Sequence, residues 1–504
     1  MRIVGILAAI LALASAASAG VVPTVGGQVS GVAAGGVESF KGIPFAAPPV
    51  GALRWRAPQP AVSWSGVRDG AAFAPACPQH LPPAWGAPDP KWSEDCLYLN
   101  VWRPETAKAG ARLPVMVWIY GGGFTVGYGG SAIYDGANLA RNGVVIVNMN
   151  YRLGRLGWFA HPELTRESAG QGTGDFGLMD QIAALVWVKR NIAAFGGDPS
   201  NVTIFGESAG GMSVNLLMTS PAARGLFNKA ITESGLGRVS AKSLATAEAR
   251  GVGFAKAAGA LDLDALRRLP VEAFINGVSQ PEDDPDNGVG PIVDGVIVPE
   301  NVDVAFAAGH EAKVPWIVGS NNYEASLFPA LLADPDGKVL VLAPAPVRPL
   351  VMKTFDPENT GDHKVMAANL LTDNIFTEPA RYLAAQHEKN GAQVWRYFFG
   401  YVPEAERPSP GAGHGAEIQF VFGTLGTFHG SAKGFTDADR ATAANLGRYW
   451  TDFAKAGDPN GTGLPSWAED KGDHVLVIDE SGPHTVDGLR KVRLDLMALT
   501  KNTH

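Results

Sequence analysis

Several classes of protein are excluded by residues that this sequence has in short supply. The 504-residue chain contains two cysteines, Cys77 and Cys96, and no CxxC, HExxH or EF-hand pattern, so nothing in the sequence supports a metal site. It has no basic block, and 41 lysines and arginines against 49 acidic residues give a formal charge of −8, which argues against a nucleic-acid partner. Charged residues make up 18% of the chain and apolar residues 46%, which excludes an intrinsically disordered protein.

Long hydrophobic runs are also missing, because no segment reaches the roughly 20 apolar residues that span a bilayer. At the N-terminus, Arg2 precedes a short apolar run over residues 3–14, and residues 17–19 (Ala-Ser-Ala) form a small-residue cleavage site. We therefore expect residues 1–19 to be a secretory signal peptide. Residues 20–504 are expected to form a single domain, secreted or periplasmic, with no membrane anchor. Two cysteines in an exported chain favour a disulfide over two free thiols.

Strand-like and helical segments alternate along the chain. The strand-like segments are apolar, several of them without alternation, as strands buried on both faces are. They are residues 113–120, 144–151, 201–205, 229–233, 315–318 and 393–399. Helical candidates such as residues 177–195 lie between them, and this alternation predicts an α/β fold with a mostly parallel sheet. The acidic segment 280–290 is either a surface loop or a linker, and its composition does not separate the two.

The strongest local motif is Gly-Glu-Ser-Ala-Gly at residues 206–210. It follows the predicted strand 201–205 and precedes a helical stretch, which is the setting of a nucleophile elbow, where a serine sits on a strained strand-to-helix turn. Ser208 is therefore the candidate nucleophile, and the helix N-terminus behind it offers N–H groups to a developing anion. Residues 166–170 repeat Glu-Ser-Ala-Gly around Ser168 but lack the first glycine and the preceding strand, so we interpret them as a loop.

A run of three glycines follows another predicted strand, at Gly121, Gly122 and Gly123. Glycine backbone after an early strand lets N–H groups point into a shared cavity. Gly122 and Gly123, together with the N–H of Ala209, form a candidate oxyanion hole with three donors. Taken alone the run is equally typical of a flexible turn, but the nucleophile elbow favours the oxyanion hole.

A serine nucleophile of this type needs an acid and a histidine, in the chain order serine, acid, histidine. Glu324 follows a predicted strand end, where the catalytic loops of open parallel sheets lie. Asp294 is a weaker rival for the acid.

Two of the ten histidines are candidates for the base. His414 lies among small residues on a loop after the predicted strand 393–399, and His429 is the runner-up by the same reasoning. His474 and His484 lie among polar residues near the C-terminus, so we interpret them as surface residues. Because the base must be neutral to act, we expect activity to fall as the pH drops through its pKa, which is about 6.5 if unperturbed.

Six longer motifs resemble, in the same order, those of the type B carboxylesterases, the cholinesterase-like branch of the α/β-hydrolases. They are residues 40–51, 93–101, 205–211, 319–324, 413–423 and 450–460. The motifs are long and extend over most of the expected mature chain, so the resemblance is specific. Two positions depart from the family pattern: Tyr120 stands where many relatives have histidine, and Tyr323 precedes the acid where aspartate is usual.

The resemblance implies an α/β-hydrolase fold with a mostly parallel central sheet, helices on both faces and long loop insertions. It implies a small-molecule ester as substrate and requires no cofactor. The site residues that it implies are Ser208, Glu324 and His414 as the catalytic triad, Gly122, Gly123 and Ala209 as the oxyanion hole, and Cys77 with Cys96 as a disulfide.

Two tryptophans inside the loop between the cysteines bear on the substrate. Cholinesterase-like relatives carry a cation-binding tryptophan in this loop, and Trp85 lies near the corresponding place, with Trp92 further along. Such a residue either binds a quaternary amine through a cation–π contact or packs the loop against apolar surface, and we favour packing.

Other functions are compatible with the same fold. Some relatives have lost the nucleophile and act as adhesion or binding proteins, whereas this chain keeps the triad and the glycine run. A lipase or an amidase uses the same triad and oxyanion hole, so the sequence does not separate the leaving groups. We predict a secreted serine carboxylesterase.

Overall fold

A computed structural model of the protein describes residues 17–82, 89–260, 262–275, 289–339, 345–427 and 434–501. Its strands are β1 (Ala17–Pro23), β2 (Gln28–Ala34), β3 (Val37–Pro44), β4 (Val67–Asp69), β5 (Tyr98–Pro104), β6 (Leu113–Ile119), β7 (Val145–Met149), β8 (Gly197–Glu207), β9 (Lys229–Glu233), β10 (Lys242–Ser243), β11 (Ile292–Val293), β12 (Trp316–Asn321), β13 (Val394–Phe399), β14 (His474–Asp479) and β15 (Gly482–Asp487).

The α-helices follow the same chain order. They are α1 (Ala137–Arg141), α2 (Gly154–Gly157), α3 (Pro162–Glu167), α4 (Phe176–Asn191), α5 (Ala209–Thr219), α6 (Leu244–Ala257), α7 (Leu263–Arg268), α8 (Glu272–Ile275), α9 (Val302–Ala308), α10 (Pro329–Leu332), α11 (Pro335–Lys338), α12 (Arg348–Phe355), α13 (His363–Thr372), α14 (Glu378–Lys389), α15 (Ile418–Val421), α16 (Asp437–Ala456) and α17 (Lys491–Lys501). A π-helical turn, Asp373–Thr377, joins α13 to α14.

One large sheet organises the molecule, in the order β1-β2-β3-β5-β7-β6-β8-β9-β12-β13-β14-β15, with β4 beside β2. Every neighbouring pair from β7 to β14 is parallel, whereas the pairs from β1 to β7 and the last pair are antiparallel. Strands β7, β9, β12 and β13 are buried at every position, including the polar residues Asn148, Glu233, Asn321 and Arg396 that interrupt their apolar runs. The predicted α/β class with a mostly parallel sheet is confirmed.

The predicted strands all appear in this sheet, as β6, β7, β8, β9, β12 and β13. The antiparallel edge was not predicted, because its strands are weakly patterned: β2 alternates only partly between buried and exposed positions and carries a glycine. Strands β9 and β12 pair directly, so the chain before and after the acidic segment 280–290 lies side by side in one sheet. Of that segment, residues 280–288 lie outside the described residues.

The structure describes only the last three residues of the predicted signal peptide. These residues, 17–19, form the start of β1 opposite residues 31–33 of β2. Among the described residues, no helix combines the length and the apolar character needed to cross a membrane. The signal peptide stays a prediction.

Cys77 and Cys96 form a disulfide with their Cα atoms 5.0 Å apart, and both are fully buried. The loop that they close contacts the chain just after the glycine run: the Gln79 amide exchanges two hydrogen bonds with the backbone of Gly127, of 2.7 and 2.8 Å. Asn150 donates to the carbonyl of Cys96 and accepts from the N–H of Gly129. The cross-link therefore stabilises a loop that supports the segment at residues 121–129.

We predict that replacing both cysteines by alanine lowers the free energy of unfolding by about 3 kcal/mol, because an unfolded chain without the 19-residue closure has more conformations to lose. Urea denaturation followed by tryptophan fluorescence measures this change. Reduced wild-type protein is the control and is expected to lose the same amount. Equal midpoints for the oxidised wild type and the double variant would contradict the prediction.

Candidate active site

Ser208 occupies a sharp turn between β8, which ends at Glu207, and α5, which begins at Ala209. Its backbone has φ 57° and ψ −124°, a conformation that non-glycine residues rarely adopt. The N–H of Ser208 donates a 2.9 Å hydrogen bond to the carbonyl of Glu233 on the neighbouring strand β9. The strained strand-to-helix turn predicted from the sequence is present.

The glycines of the motif are required by close backbone contacts. A Cβ atom on Gly206 would lie 2.6 Å from the carbonyl oxygen of Ile119, and one on Gly210 would collide with the same oxygen. Strand β6 therefore packs directly against both sides of the elbow, and a side chain at either position would push the turn away from it.

The glycine run lies beside the elbow. A Cβ on Gly121 would lie 2.9 Å from the Cβ of Ser208, and Gly122 and Gly123 have positive φ angles of 102° and 61°, which glycine adopts without strain. Within the described part of the chain, no hydrogen bond is donated by the N–H groups of Gly122, Gly123 or Ala209. These three N–H groups are available to a ligand.

Glu324 and His414 are in direct contact, with Glu324 Oε2 2.6 Å from His414 Nδ1. Glu324 begins a short 3-10 helix just after β12, and His414 lies on the loop that follows β13. The two loops are joined by a β-bridge between Tyr323 and Gly413, and the N–H of His414 donates to Ser326 Oγ at 2.8 Å. The structure thus brings together the acid and the histidine that the sequence singled out.

Other donors fix the second oxygen of the Glu324 carboxylate. Ser234 Oγ donates to Oε1 at 2.5 Å, and the N–H of Asn321 donates to it at 2.7 Å. A fully buried carboxylate with three donors has one rotamer that satisfies all of them, so Glu324 holds the His414 ring by Nδ1 in a defined direction.

The rival candidates have other partners. Asp294 accepts hydrogen bonds from the N–H groups of Val296, Ile297 and Val298, which is the role of a turn-forming residue. Ser168 ends α3 and donates to the carbonyl of Thr165, so it lies on no elbow.

The two histidines near the C-terminus lie at the edge of the sheet, on its last hairpin. His474 and His484 are partly exposed and lie on the edge hairpin β14–β15, as expected of surface residues. His429 lies outside the described residues.

Glu207, the residue before the nucleophile, lies at the other nitrogen of the imidazole. Its Oε1 is 3.1 Å from His414 Nε2, and both side chains are buried. Neither atom makes a hydrogen bond to another described residue, so no hydrogen bond joins Nε2 to Ser208 Oγ in this structure. The ring therefore lies between two carboxylates, Glu324 at Nδ1 and Glu207 at Nε2.

The electrostatics of the site are dominated by buried acids. Burial disfavours the charged imidazolium, but the carboxylates of Glu207, Glu324 and Glu417 outweigh burial and raise the pKa of His414 above its ordinary value. The pKa of Glu207 is raised to about 7, mainly by burial, with His414 opposing the increase and Glu324 adding to it. Burial likewise raises the pKa of Glu233 to about 8. The unperturbed histidine pKa of the sequence analysis therefore does not apply.

A cavity of about 250 Å³ opens beside Ser208. Ser208, Ala209 and Gly123 are among its lining residues, and most of the wall is apolar. The apolar side chains in the wall include Phe124, Met212, Leu216, Val239, Val302 and Leu327. Trp92 is not among the lining residues and packs near His80, while Trp85 lies outside the described residues.

Sequence reasoning missed three residues of this site: Glu207, Ser234 and Glu417. Glu207 is the variable position of the elbow motif, Glu417 lies in the histidine segment, and Ser234 directly follows β9. Acidic residues inside otherwise apolar or small-residue segments were the available signal, because an acid is seldom buried without a function or a partner.

The chain matches the carboxylesterase family model over residues 18–342 and 346–496. It belongs to the carboxylesterase family. Fumonisin B1 esterase of Sphingopyxis macrogoltabida is 41% identical over 461 residues, covering 87% of this chain and 82% of that protein. Para-nitrobenzyl esterase of Bacillus subtilis (strain 168) is 36% identical over 479 residues, covering 91% and 95%.

A solved carboxylesterase of Geobacillus stearothermophilus has the same fold. It aligns with a TM-score of 0.80 at 34% identity and covers 94% of this chain and 99% of its own. The family resemblance, the α/β-hydrolase fold and the carboxylesterase activity predicted from the sequence are confirmed by these likenesses.

We predict that Glu207→Gln moves the acidic limb of the pH–activity profile to lower pH by about 1 to 3 pH units. The substitution removes one of the carboxylates that favour the imidazolium, so the pKa of His414 falls and the neutral base persists in more acidic solution. The measurement is kcat/KM for an activated ester as a function of pH.

Glu233→Gln is the matched control. The Glu233 carboxyl accepts a 2.8 Å hydrogen bond from Trp450 Nε1 and is not among the groups that shift the pKa of His414. Its acidic limb is expected to stay at the wild-type position. Identical limbs for wild type and Glu207→Gln would contradict the prediction.

Proposed function

We propose that this protein is a serine carboxylesterase that hydrolyses small carboxylic esters through an acyl-enzyme on Ser208, with His414 as base and acid and Glu324 as the acid that orients it. The observation that carries the proposal is the 2.6 Å contact between Glu324 and His414, whose Nε2 lies 3.1 Å from Glu207, the residue before the serine on the strained elbow. Triads are recognised by geometry of this kind rather than by sequence position.

In the proposed reaction, His414 Nε2 removes the Ser208 hydroxyl proton while Oγ bonds to the ester carbonyl carbon. The N–H groups of Gly122, Gly123 and Ala209 stabilise the oxyanion, and one such donor is worth about 3 kcal/mol. His414 then gives the proton to the departing alcohol. A water molecule, deprotonated by His414, attacks the acyl-enzyme and releases the carboxylic acid and free Ser208.

We assign the acyl part of the substrate to the cavity beside Ser208. Its lining includes the nucleophile and two of the proposed oxyanion donors but not His414. The alcohol must leave next to His414, which protonates it, so the acyl group extends the other way. A cavity of about 150 Å³ holds benzene, so about 250 Å³ suits a medium-chain or aryl acyl group.

We propose further that the protein is exported. The disulfide between Cys77 and Cys96 suits an oxidising compartment, and residues 1–19 have the pattern of a cleaved leader. The sequence around the two cysteines has no metal-binding or redox motif, so a structural disulfide in an exported protein accounts for both of them.

We expect Ser208→Ala to lower kcat on p-nitrophenyl butyrate by at least about 10³-fold and to abolish covalent labelling by a fluorophosphonate, because the nucleophile is gone. Ser168→Ala is the matched control, since Ser168 lies in the second Glu-Ser-Ala-Gly segment and should keep full activity and labelling. A folded wild type that neither turns over esters nor takes the label would contradict the proposal and favour a binding protein.

Met212 lines the cavity and offers a test of the acyl assignment. Met212→Trp fills the cavity, so we expect kcat/KM for p-nitrophenyl octanoate to fall about 10-fold or more relative to the acetate. Met212→Ala widens the cavity and should shift the preference towards longer acyl chains. If both variants keep the wild-type chain-length profile, the acyl group does not enter this cavity.

A further inference from the structure

The π-helical turn Asp373–Thr377 lies directly behind the histidine. π-Helical geometry is rare and occurs mostly as single turns inserted in α-helices, frequently at functional sites. Here the turn is continuous with α13 before it and α14 after it. An insertion of this kind displaces a side chain from the face that it would have in a regular helix.

The side chain that this turn brings to the site is Phe376. Its ring centroid lies 5.2 Å from that of His414, with the rings tilted by 51°, and only 1% of Phe376 is exposed. The flanking threonines contact the same region: Thr372 Oγ1 accepts from the N–H of Ala325, and Thr377 Oγ1 lies 3.1 Å from Ser320 Oγ on β12. These three contacts seat the turn against the His414 ring, strand β12 and the segment after β12 that carries Glu324.

The Phe376 contact supplies a constraint that Glu324 alone does not. A single hydrogen bond at Nδ1 fixes the direction of the imidazole but leaves the ring free to tilt about the axis of that bond. Tilting moves Nε2, whose place relative to Ser208 decides proton transfer, and a displacement of about 1 Å in such a site costs up to about 100-fold in rate. A packed aromatic face against the ring restricts this tilt.

The C-terminal helix α17 holds the turn at both ends. The buried carboxylate of Asp373, at its start, lies 2.6 Å from Arg490 Nη1 and 2.7 Å from Arg493 Nη2. The buried carboxylate of Glu378, just after it, lies 3.0 Å from Lys501 Nζ and also pairs with Arg238. Lys501 also donates to the backbone carbonyl of Asn374 within the turn.

We propose that Phe376 is a positioning residue for His414, and that α17 with the segment before it holds the π-helical turn that carries Phe376. The inference rests on the proposed function, because the plane of the imidazole matters for catalysis only if His414 is the base. It assigns the C-terminal helix, remote from the nucleophile in sequence, a role in the geometry of the active site.

The first test compares Phe376→Leu with Phe453→Leu. Phe453, on α16, is equally buried and packs against Trp395 on β13, so the same change there removes a ring that does not contact His414. Activity is expressed per fluorophosphonate-labelled site on p-nitrophenyl butyrate. We expect Phe376→Leu to lower kcat about 10- to 100-fold with KM within about twofold of wild type, and to slow labelling of Ser208, whereas Phe453→Leu keeps both.

The second test compares two lysines of the same helix. Lys501→Met removes the ammonium that contacts Glu378 and Asn374, and Lys491→Met removes one that pairs with Asp495 on its own helix. We expect Lys501→Met to lower kcat in the same direction as Phe376→Leu but by less, and Lys491→Met to match wild type. This pair carries the test if Phe376→Leu does not fold.

The outcomes separate this inference from the proposed function. Equal kcat per labelled site and equal labelling rates in Phe376→Leu and Phe453→Leu overturn the role of Phe376. A normal kcat in Lys501→Met beside a low one in Phe376→Leu overturns the role of α17 alone. A wild type with neither label nor turnover overturns the proposed function itself.

Discussion

The contact between Glu324 and His414 is the constraint on which the rest of the site depends. A fully buried carboxylate is tolerated only with several donors, and this one has Ser234 Oγ, the N–H of Asn321 and the imidazole. These donors come from the ends of β9, β12 and β13, three neighbouring parallel strands whose carboxyl ends meet at one edge of the sheet. The order of strands therefore decides which loops can meet, and the carboxylate fixes how they meet.

The same edge of the sheet gathers more acids than one histidine can neutralise. Glu207, Glu233 and Glu417 are all buried, which raises the pKa of each, and the Glu207 carboxyl adds to the increase at Glu233 and at Glu417. Each also has one oxygen without a hydrogen-bond partner in the described part of the chain. Of these carboxyls, Glu207 and Glu417 act together with Glu324 to favour the charged imidazolium of His414. In the proposed mechanism they stabilise the imidazolium that forms when His414 takes up the Ser208 proton, and they keep the resting ring charged to higher pH.

Local sequence predicted the elements of the site better than the contacts between them. The strands were predictable because apolar runs such as residues 145–147 of β7 and 316–318 of β12 show no alternation. The elbow was predictable because close backbone contacts require its glycines, so the motif appears in the sequence. The antiparallel edge was not predictable, since β2 has a mixed pattern. Glu207 at Nε2 and Phe376 against the ring were missed, because both depend on which loops meet, and no periodicity in the chain encodes that.

The geometry of the elbow depends both on two glycines that lack side chains and on a backbone hydrogen bond. Ser208 adopts a backbone conformation that costs about 1–3 kcal/mol for a residue other than glycine. Its N–H bond to Glu233 offsets part of that cost, and the close approach of β6 is possible only because Gly206 and Gly210 have no Cβ. A side chain at either glycine would let the turn relax away from Ile119, and the serine would then lose the strained geometry that presents its hydroxyl to the cavity. The glycines thus determine the backbone geometry of Ser208, the proposed nucleophile, because they have no side chain.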